Sequence, residues 1–243
     1  MLTIRRFQKG DEEILSVMIR RTLREVNYTS PKSELDYLIP HYSPETMVEL
    51  SETGHTYVLE EDGQIIGSGT ILDTSRLQSA LAKRFFISPK NVHAHVYGEH
   101  GDSSFVPWSL VHIANNHIDE YKQLSPDGER ITWKGAEEYE AIEQFVKTSG
   151  GQVIKAKGAT FYAVAMSVCH LCKCVMSTAG TALTVSTMMH GEYGVDDVCL
   201  STLALVDNTG VRGKILNKLT DEETARLQNS ANKLKEVIHQ ITY

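Results

Sequence analysis

No stretch of this 243-residue sequence is apolar for anything near the ~20 residues that a membrane-crossing helix needs. Its longest apolar runs are interrupted by Thr, Ser, His or Lys. The opening MLTIRRFQKGDEEI carries no hydrophobic signal-peptide core, so a cytoplasmic address is expected. Positive charge is short too: 24 Lys and Arg stand against 31 Asp and Glu, a formal net charge of −7. Nucleic acid and anionic membrane both select for a basic face, so neither is an expected partner. Internal repeats and low-complexity segments are lacking. What remains, 41% hydrophobic and 23% charged, is the composition of an ordinary globular protein.

Cysteine is scarce, with four in all. Three of them, Cys169, Cys172 and Cys174, fall in VCHLCKCVMS around His170, and Cys199 stands apart. The surrounding ATFYAVAMSVCHLCKCVMS reads as a helix, which puts Cys169 and Cys172 on one face and turns Cys174 away. A structural zinc site wants a knuckle in a tight turn and a second ligand pair. The thiols therefore read as buried or half-buried side chains, and no metal is expected. Also lacking is the dinucleotide fingerprint G-x-G-x-x-G, three glycines at a strand-to-helix turn with an acidic residue ~20 positions on. Gly67-Ser68-Gly69 follows a strand-like run, but Leu72 occupies the third glycine's place.

The segments that are present fall into two parts. In the first, LTIRRF alternates as a half-buried strand does, and GDEEILSVMIRRTLREV has helical spacing, with Asp11 at its start and Arg20, Arg21 and Arg24 near its end. Ser43-Pro44-Glu45 opens a second short helix. HTYVLEEDGQIIGSGTI reads as a hairpin turning on Asp62-Gly63. From Leu72 the pattern changes. LDTSRLQSALAKRF is an amphipathic helix opening on Asp73, and VHAHVYG is a strand. WKGAEEYEAIEQF and IKAKGATFYAVAMSVCHLCKCVM are helices separated by Ser149-Gly150-Gly151. ALTVSTMMHGEYGVDDVCLSTLALVD makes two β runs around Gly191–Gly194. A last helix starts at a capping box formed by Thr220 and Glu223.

Strand, helix, helix, hairpin over about 1–71 resembles the opening of a Gcn5-related N-acetyltransferase, on the strings TIRRFQKGDEE and EDGQIIGSGTI. That family's pyrophosphate loop, Arg/Gln-x-x-Gly-x-Gly/Ala, does not follow. Over 72–243, LDTSRL, VYGEHGDSS, KGATFYAVA and STMMHGEYGVDDVCLS resemble the L-lactate dehydrogenase family, in that family's order. The two resemblances meet inside Ile65–Ile71, where IIGSGT suits both. The expected fold is mixed α/β: a truncated acetyltransferase-like segment over 1–71, then the α+β C-terminal, substrate-binding domain of the lactate/malate dehydrogenases over 72–243. The sequence leaves open whether two genes recombined there or two reads were joined.

The residue types suit reduction of a 2-keto acid. His100 can donate a proton as imidazolium, since its pKa lies near neutrality. Asp73 can hold one ring nitrogen and stabilise that charge. Arg76 offers a planar fork for a carboxylate, and at three residues from Asp73 it leaves a helix on the same face. Singly, an Asp-x-x-Arg pair reads as a surface ion pair and a histidine in a Gly-rich loop as solvated. The resemblance further implies Thr160 on the substrate pocket and Val164 against the nicotinamide of NAD. It also implies an effector site at His93, where Gln78 replaces the usual arginine. It implies a tetramer whose substrate domains touch. CLSTLALVD departs from the family in lacking a proline.

Three readings follow. One is an NAD-dependent L-lactate dehydrogenase whose nucleotide domain, mobile loop and keto-binding asparagine lie outside this chain. The second is an inactive remnant or regulatory partner of an intact lactate dehydrogenase subunit. The third is an acetyltransferase, which the missing loop disfavours. Because the glycine fingerprint is absent, the purified chain is expected to bind NADH only weakly. A fluorescence titration giving a micromolar dissociation constant would overturn this.

Overall fold

The computed structural model describes residues 2–25, 43–53, 57–61, 64–65, 68–125, 127–160 and 162–239. The chain divides into two compact units, Met1–Ile65 and Ile66–Tyr243.

In the first unit the alternating LTIRR forms β1 (Leu2–Arg6), which pairs antiparallel with β2 (Tyr57–Glu61). β2 pairs with β3 (Gln64–Ile65) in the register Glu61↔Gln64. The Asp62-Gly63 turn expected between them lies outside the described residues. Helix α1 (Asp11–Glu25) begins where Asp11, buried, accepts from both Arg5 guanidinium nitrogens, at 2.6 and 2.8 Å, and from Gln8 N at 2.8 Å. Those donors, the Arg5 side chain first, hold the Asp11 carboxyl below its ordinary range. Helix α2 (Pro44–Thr53) follows, with proline at its first position.

The second unit is organised around α3 (Ile71–Phe85). Its apolar residues recur every three or four positions, so Leu77, Leu81 and Phe85 share one face and are fully buried. They pack on Val92, Ala94, Val96, Val111, Ile113 and Ile118. Phe85 meets Tyr121 edge-on, ring centroids 4.8 Å apart. Val92–His93 (β4), His112–Ile113 (β5) and Asn116–His117 (β6) make a small antiparallel sheet, and Lys122–Leu124 (β7) pairs with Arg130–Thr132 (β8). The VHAHVYG strand is thus broken: its first two residues pair with β5. Further on, only single bridges form, Tyr97↔Phe105 and Gly98↔Ser201.

The helices after β8 differ from expectation. Helix α4 (Ala136–Lys157) runs straight through Ser149-Gly150-Gly151 and stops at Gly158, where φ is +82° and the amide donates to Ile154 O at 2.7 Å. Glycine inside a helix costs about 1 kcal/mol relative to alanine, and here packing outweighs it. Ser149 is buried and returns its hydroxyl to Phe145 O at 2.5 Å. The Arg76 guanidinium lies against Gly150. Helix α5 (Tyr162–Val175) is therefore a separate element. Along it Cys169 is exposed and Cys174 buried, with Cys174 Sγ 3.8 Å from His170 Nε2.

Strands β9 (Thr181–His190), β10 (Asp196–Asp207) and β11 (Gly210–Lys214) form an antiparallel sheet in the order β11-β10-β9, and β9 and β10 flank Gly191–Gly194 as the sequence predicts. Helix α6 (Asp221–His239) opens on the capping box: Thr220 N donates to Glu223 Oε2 at 2.9 Å and Glu223 N to Thr220 Oγ1 at 3.2 Å. Its Leu227 and Ala231 pack with Tyr97, Phe105, Met189 and Leu200. Among the described residues no helix is long and apolar enough to cross a membrane. Because Phe85 joins the α3 face to Tyr121 and Trp133, Phe85→Ala is expected to lower the unfolding free energy by about 3–5 kcal/mol. Urea titration checks this, and an unchanged midpoint would contradict it.

Candidate active site

Helix α3 begins at a crowded seam. Gly69 has φ +57°, and a Cβ on it would stand 2.4 Å from Ser201 Oγ and 2.7 Å from Ser186 N, so the chain passes here only as glycine. The next residue, Thr70, donates its amide to Ser201 Oγ at 3.1 Å and its hydroxyl to Val96 O at 2.5 Å. One turn later Thr74 Oγ1 accepts from Val96 N at 3.0 Å and lies 2.9 Å from Thr184 Oγ1. These buried bonds tie the first turn of α3 to the chain just before His100 and to β9 and β10.

That first turn presents Asp73, only 7% exposed. Its two carboxylate oxygens have different partners. Oδ2 lies 2.7 Å from His100 Nδ1, and Oδ1 accepts from Arg76 at 2.9 Å. The His100 side chain is 56% exposed. The hydrogen bond that the ring donates to Asp73 raises its pKa above the ordinary value, desolvation pulls the other way, and Arg76 also opposes while Glu99 assists. With Nδ1 held by Asp73, Nε2 is the nitrogen left to exchange a proton with a reactant. Arg76 is largely covered.

Arg76 lines a cavity of ≈490 Å³ between α3, α4 and α5, together with Ile71, Ser75, Met166 and His170. His100, Thr160 and Val164 are not among its described lining residues. Thr160 is half-buried in the turn between α4 and α5, and Val164 is exposed on the first turn of α5. The structure thus joins Asp73, Arg76 and His100 and leaves Thr160 and Val164 apart from that cavity; Phe161 lies outside the described residues. His93 is exposed on β4, opposite His112. Gln78, in the arginine's place, donates Nε2 to Ala94 O at 3.1 Å and so secures the chain after β4. Nearby His95 is pushed down to about 4 by burial, and its Nδ1 has no hydrogen-bond partner among the described residues.

Glu143, which sequence reasoning did not name, and Glu223, read there only as a helix cap, hold the chain that follows the His100 loop. Val106 N and Trp108 Nε1 both donate to Glu143 Oε1, at 3.1 Å each. Glu143 also takes Arg226, at 3.1 and 2.6 Å, and Ser109 N donates to Glu223 at 3.0 Å. These contacts link residues 35 or more apart in sequence and leave no local pattern. Only the glycines of the GEHGD run, which mark close backbone approach, hint at them.

No group of three or more His, Cys, Asp or Glu able to hold a metal occurs among the described residues. Nor do the described residues form the crevice that holds a dinucleotide. Every registered strand pair is antiparallel, whereas the dinucleotide crevice forms at the ends of parallel strands. The space that a side chain at Gly69 would take is filled by Ser201 and Ser186 rather than open to a ligand. The groups brought together are an imidazole, a carboxylate and a guanidinium.

Residues 70–243 match the alpha/beta C-terminal domain of lactate/malate dehydrogenase, and the chain belongs to that family. It is 36% identical over 176 residues to the L-lactate dehydrogenase of Macrococcus caseolyticus, covering 72% of this chain and 54% of that protein. It is 39% identical over 175 residues to L-lactate dehydrogenase 1 of Peribacillus psychrosaccharolyticus, covering 72% and 53%. Among solved structures it is similar to a lactate dehydrogenase from a Medee basin deep-sea metagenome library, with TM-score 0.66, 31% identity and 74% and 55% of the two chains covered. The chain spans about half the length of these relatives.

Because the folded state holds His100 above its unfolded pKa of about 6.5, the Asp73–His100 bond stabilises fully below that value. Its contribution falls as pH rises through the raised value. The stability gap between wild type and His100→Asn is therefore expected to be larger near pH 6 than near pH 9. Urea unfolding at both pH values checks this, and a gap that widens with pH would reverse the assignment.

Proposed function

We propose that residues 72–243 are the substrate-binding and proton-transferring half of an L-lactate dehydrogenase-type oxidoreductase that interconverts small 2-keto and 2-hydroxy acids. The observation that carries this is one buried carboxylate, Asp73, holding His100 at 2.7 Å and Arg76 at 2.9 Å. In this reading Arg76 binds the substrate carboxylate by its planar fork, which orients the adjacent keto group. His100 then gives its Nε2 proton to the keto oxygen on reduction and takes it back on oxidation. Asp73 keeps the imidazole in the right tautomer and stabilises its charge. Thr160 is assigned to the substrate pocket, Val164 to the nicotinamide, and His93 to an effector site that Gln78 weakens. The hydride donor is by family NAD(H), on a nucleotide domain that residues 72–243 do not provide.

A second reading rests on exposed apolar surface. Phe145 on α4 and Tyr162, Met166 and Met176 on or beside α5 are 46%, 79%, 69% and 79% exposed. Such a patch suits association with a second copy or with an intact lactate dehydrogenase subunit, as a regulatory or inactive partner. The segment over about 1–71, which holds the β1-β2-β3 sheet, is proposed as an acetyltransferase-like remnant without acetyl transfer.

Pyruvate is the probe that tests the first reading. Calorimetric titration is expected to show saturable binding, weakened about tenfold or more by Arg76→Lys, because an ammonium cannot present the bidentate fork. No binding to wild type, or equal affinity in the variant, would overturn the assignment of Arg76.

A further inference from the structure

The loop that carries His100 is held from behind by α6. Gly98 has φ +99°, and a Cβ on it would stand 2.8 Å from Ser230 Oγ, so loop and helix meet with no room for a side chain. Ser230 is fully buried. Its Oγ accepts from Glu99 N at 2.9 Å and lies 2.9 Å from Ser103 Oγ. Ser103 in turn donates its hydroxyl to Glu99 Oε1 and its amide to the same oxygen at 3.1 Å. A hydroxyl has one proton. Ser103 Oγ is the donor toward Ser230 Oγ as well as toward the carboxylate, so its one proton is shared between the two acceptors, and Ser230 Oγ accepts on both sides. A closed ring results, from Glu99 N–H to Ser230, to Ser103 and back to the Glu99 carboxylate.

Glu99 immediately precedes His100, so the ring fixes where the His100 backbone begins. On the near side Gly98 exchanges both backbone bonds with Ser201 of β10, at 3.0 Å each. On the far side Ser104 N donates to Gly101 O at 3.1 Å. Turning the imidazole onto Asp73 needs this stretch to be held, because His100 itself is more than half exposed. A buried hydroxyl oxygen that accepts from the Glu99 amide and the Ser103 hydroxyl has no apolar substitute here, since removing it leaves the Glu99 amide unpaired.

We propose that Ser230 is a positioning residue for His100, fixing the Glu99–Ser103 turn so that the imidazole meets the Asp73 carboxylate. The inference rests on the reading of His100 as the proton donor. The charged groups facing His100 are Asp73 and Arg76 from α3 and Glu99 from its own loop, whereas α6 contributes the neutral Ser230. Replacing Ser230 therefore moves the titration of His100 through geometry alone.

The test is an NMR titration of the histidine ring protons of the full chain, without ligand, with the His100 signal identified by its loss in His100→Asn. Wild type is expected to titrate above the free value of about 6.5, and Ser230→Ala to fall back toward it. Ser103→Ala breaks the same ring from the loop side and is expected to do likewise; it decides the matter if Ser230→Ala does not fold. Leu227→Ala, at an equally buried position of α6, is expected to lower the urea midpoint and leave the His100 titration in place. An unchanged midpoint in the folded serine variants, or an equal shift in Leu227→Ala, would overturn the proposal. Failure of the oxidoreductase reading is visible separately, as absence of pyruvate binding by wild type.

Discussion

The second unit depends on the seam at Gly69, where the chain enters α3 with no space for a β-carbon. Ser201 Oγ and the Ser186 backbone occupy that space, and Thr70 and Thr74 complete the join with hydroxyl bonds to Val96 and Thr184. Buried polar groups are costly when unpaired and specify a single arrangement when all are satisfied. Here they set the rotation and depth of α3. Asp73 and Arg76 are placed by that choice, as are the core residues Leu77, Leu81 and Phe85 on the helix's apolar face.

The loop bearing His100 answers to a different set of constraints. It bridges β10 at Gly98, leans on α6 through Ser230 and Glu223, and is gripped by Glu143 of α4. The His100 imidazole and the Asp73 carboxylate therefore come from two separately fixed pieces of chain, joined by one 2.7 Å bond. Precision at such a site comes from the surroundings that lock each rotamer, not from the pair itself.

Much of this was legible in the sequence. The three- and four-residue spacing of α3, the Thr220–Glu223 capping box and the β runs around Gly191–Gly194 are local signals, and the local structure follows them. Asp73, Arg76 and His100 stood out because LDTSRL and GEHGD, in that order, resemble the motifs of the L-lactate dehydrogenase family. The continuity of α4 was not legible: Ser149-Gly150-Gly151 reads as a break until the Arg76 guanidinium is seen against Gly150. The strand expected over VHAHVYG fails because only its ends find partners, and pairing is decided by chain far away. Ser201 and Ser230 were invisible for the same reason. A buried serine and a surface serine look alike in sequence, and these bond across 131 residues.

Asp73 has two oxygens and two claimants, with a further consequence. Arg76 opposes the protonation of His100, and its own charge is partly committed to the carboxylate they share. An anion that engages Arg76 offsets that opposition and makes the imidazole easier to charge. By thermodynamic reciprocity, a charged imidazole then favours the anion to the same degree. The shared carboxylate thus works as an interlock: anion uptake and proton uptake are coupled, and each draws the other in.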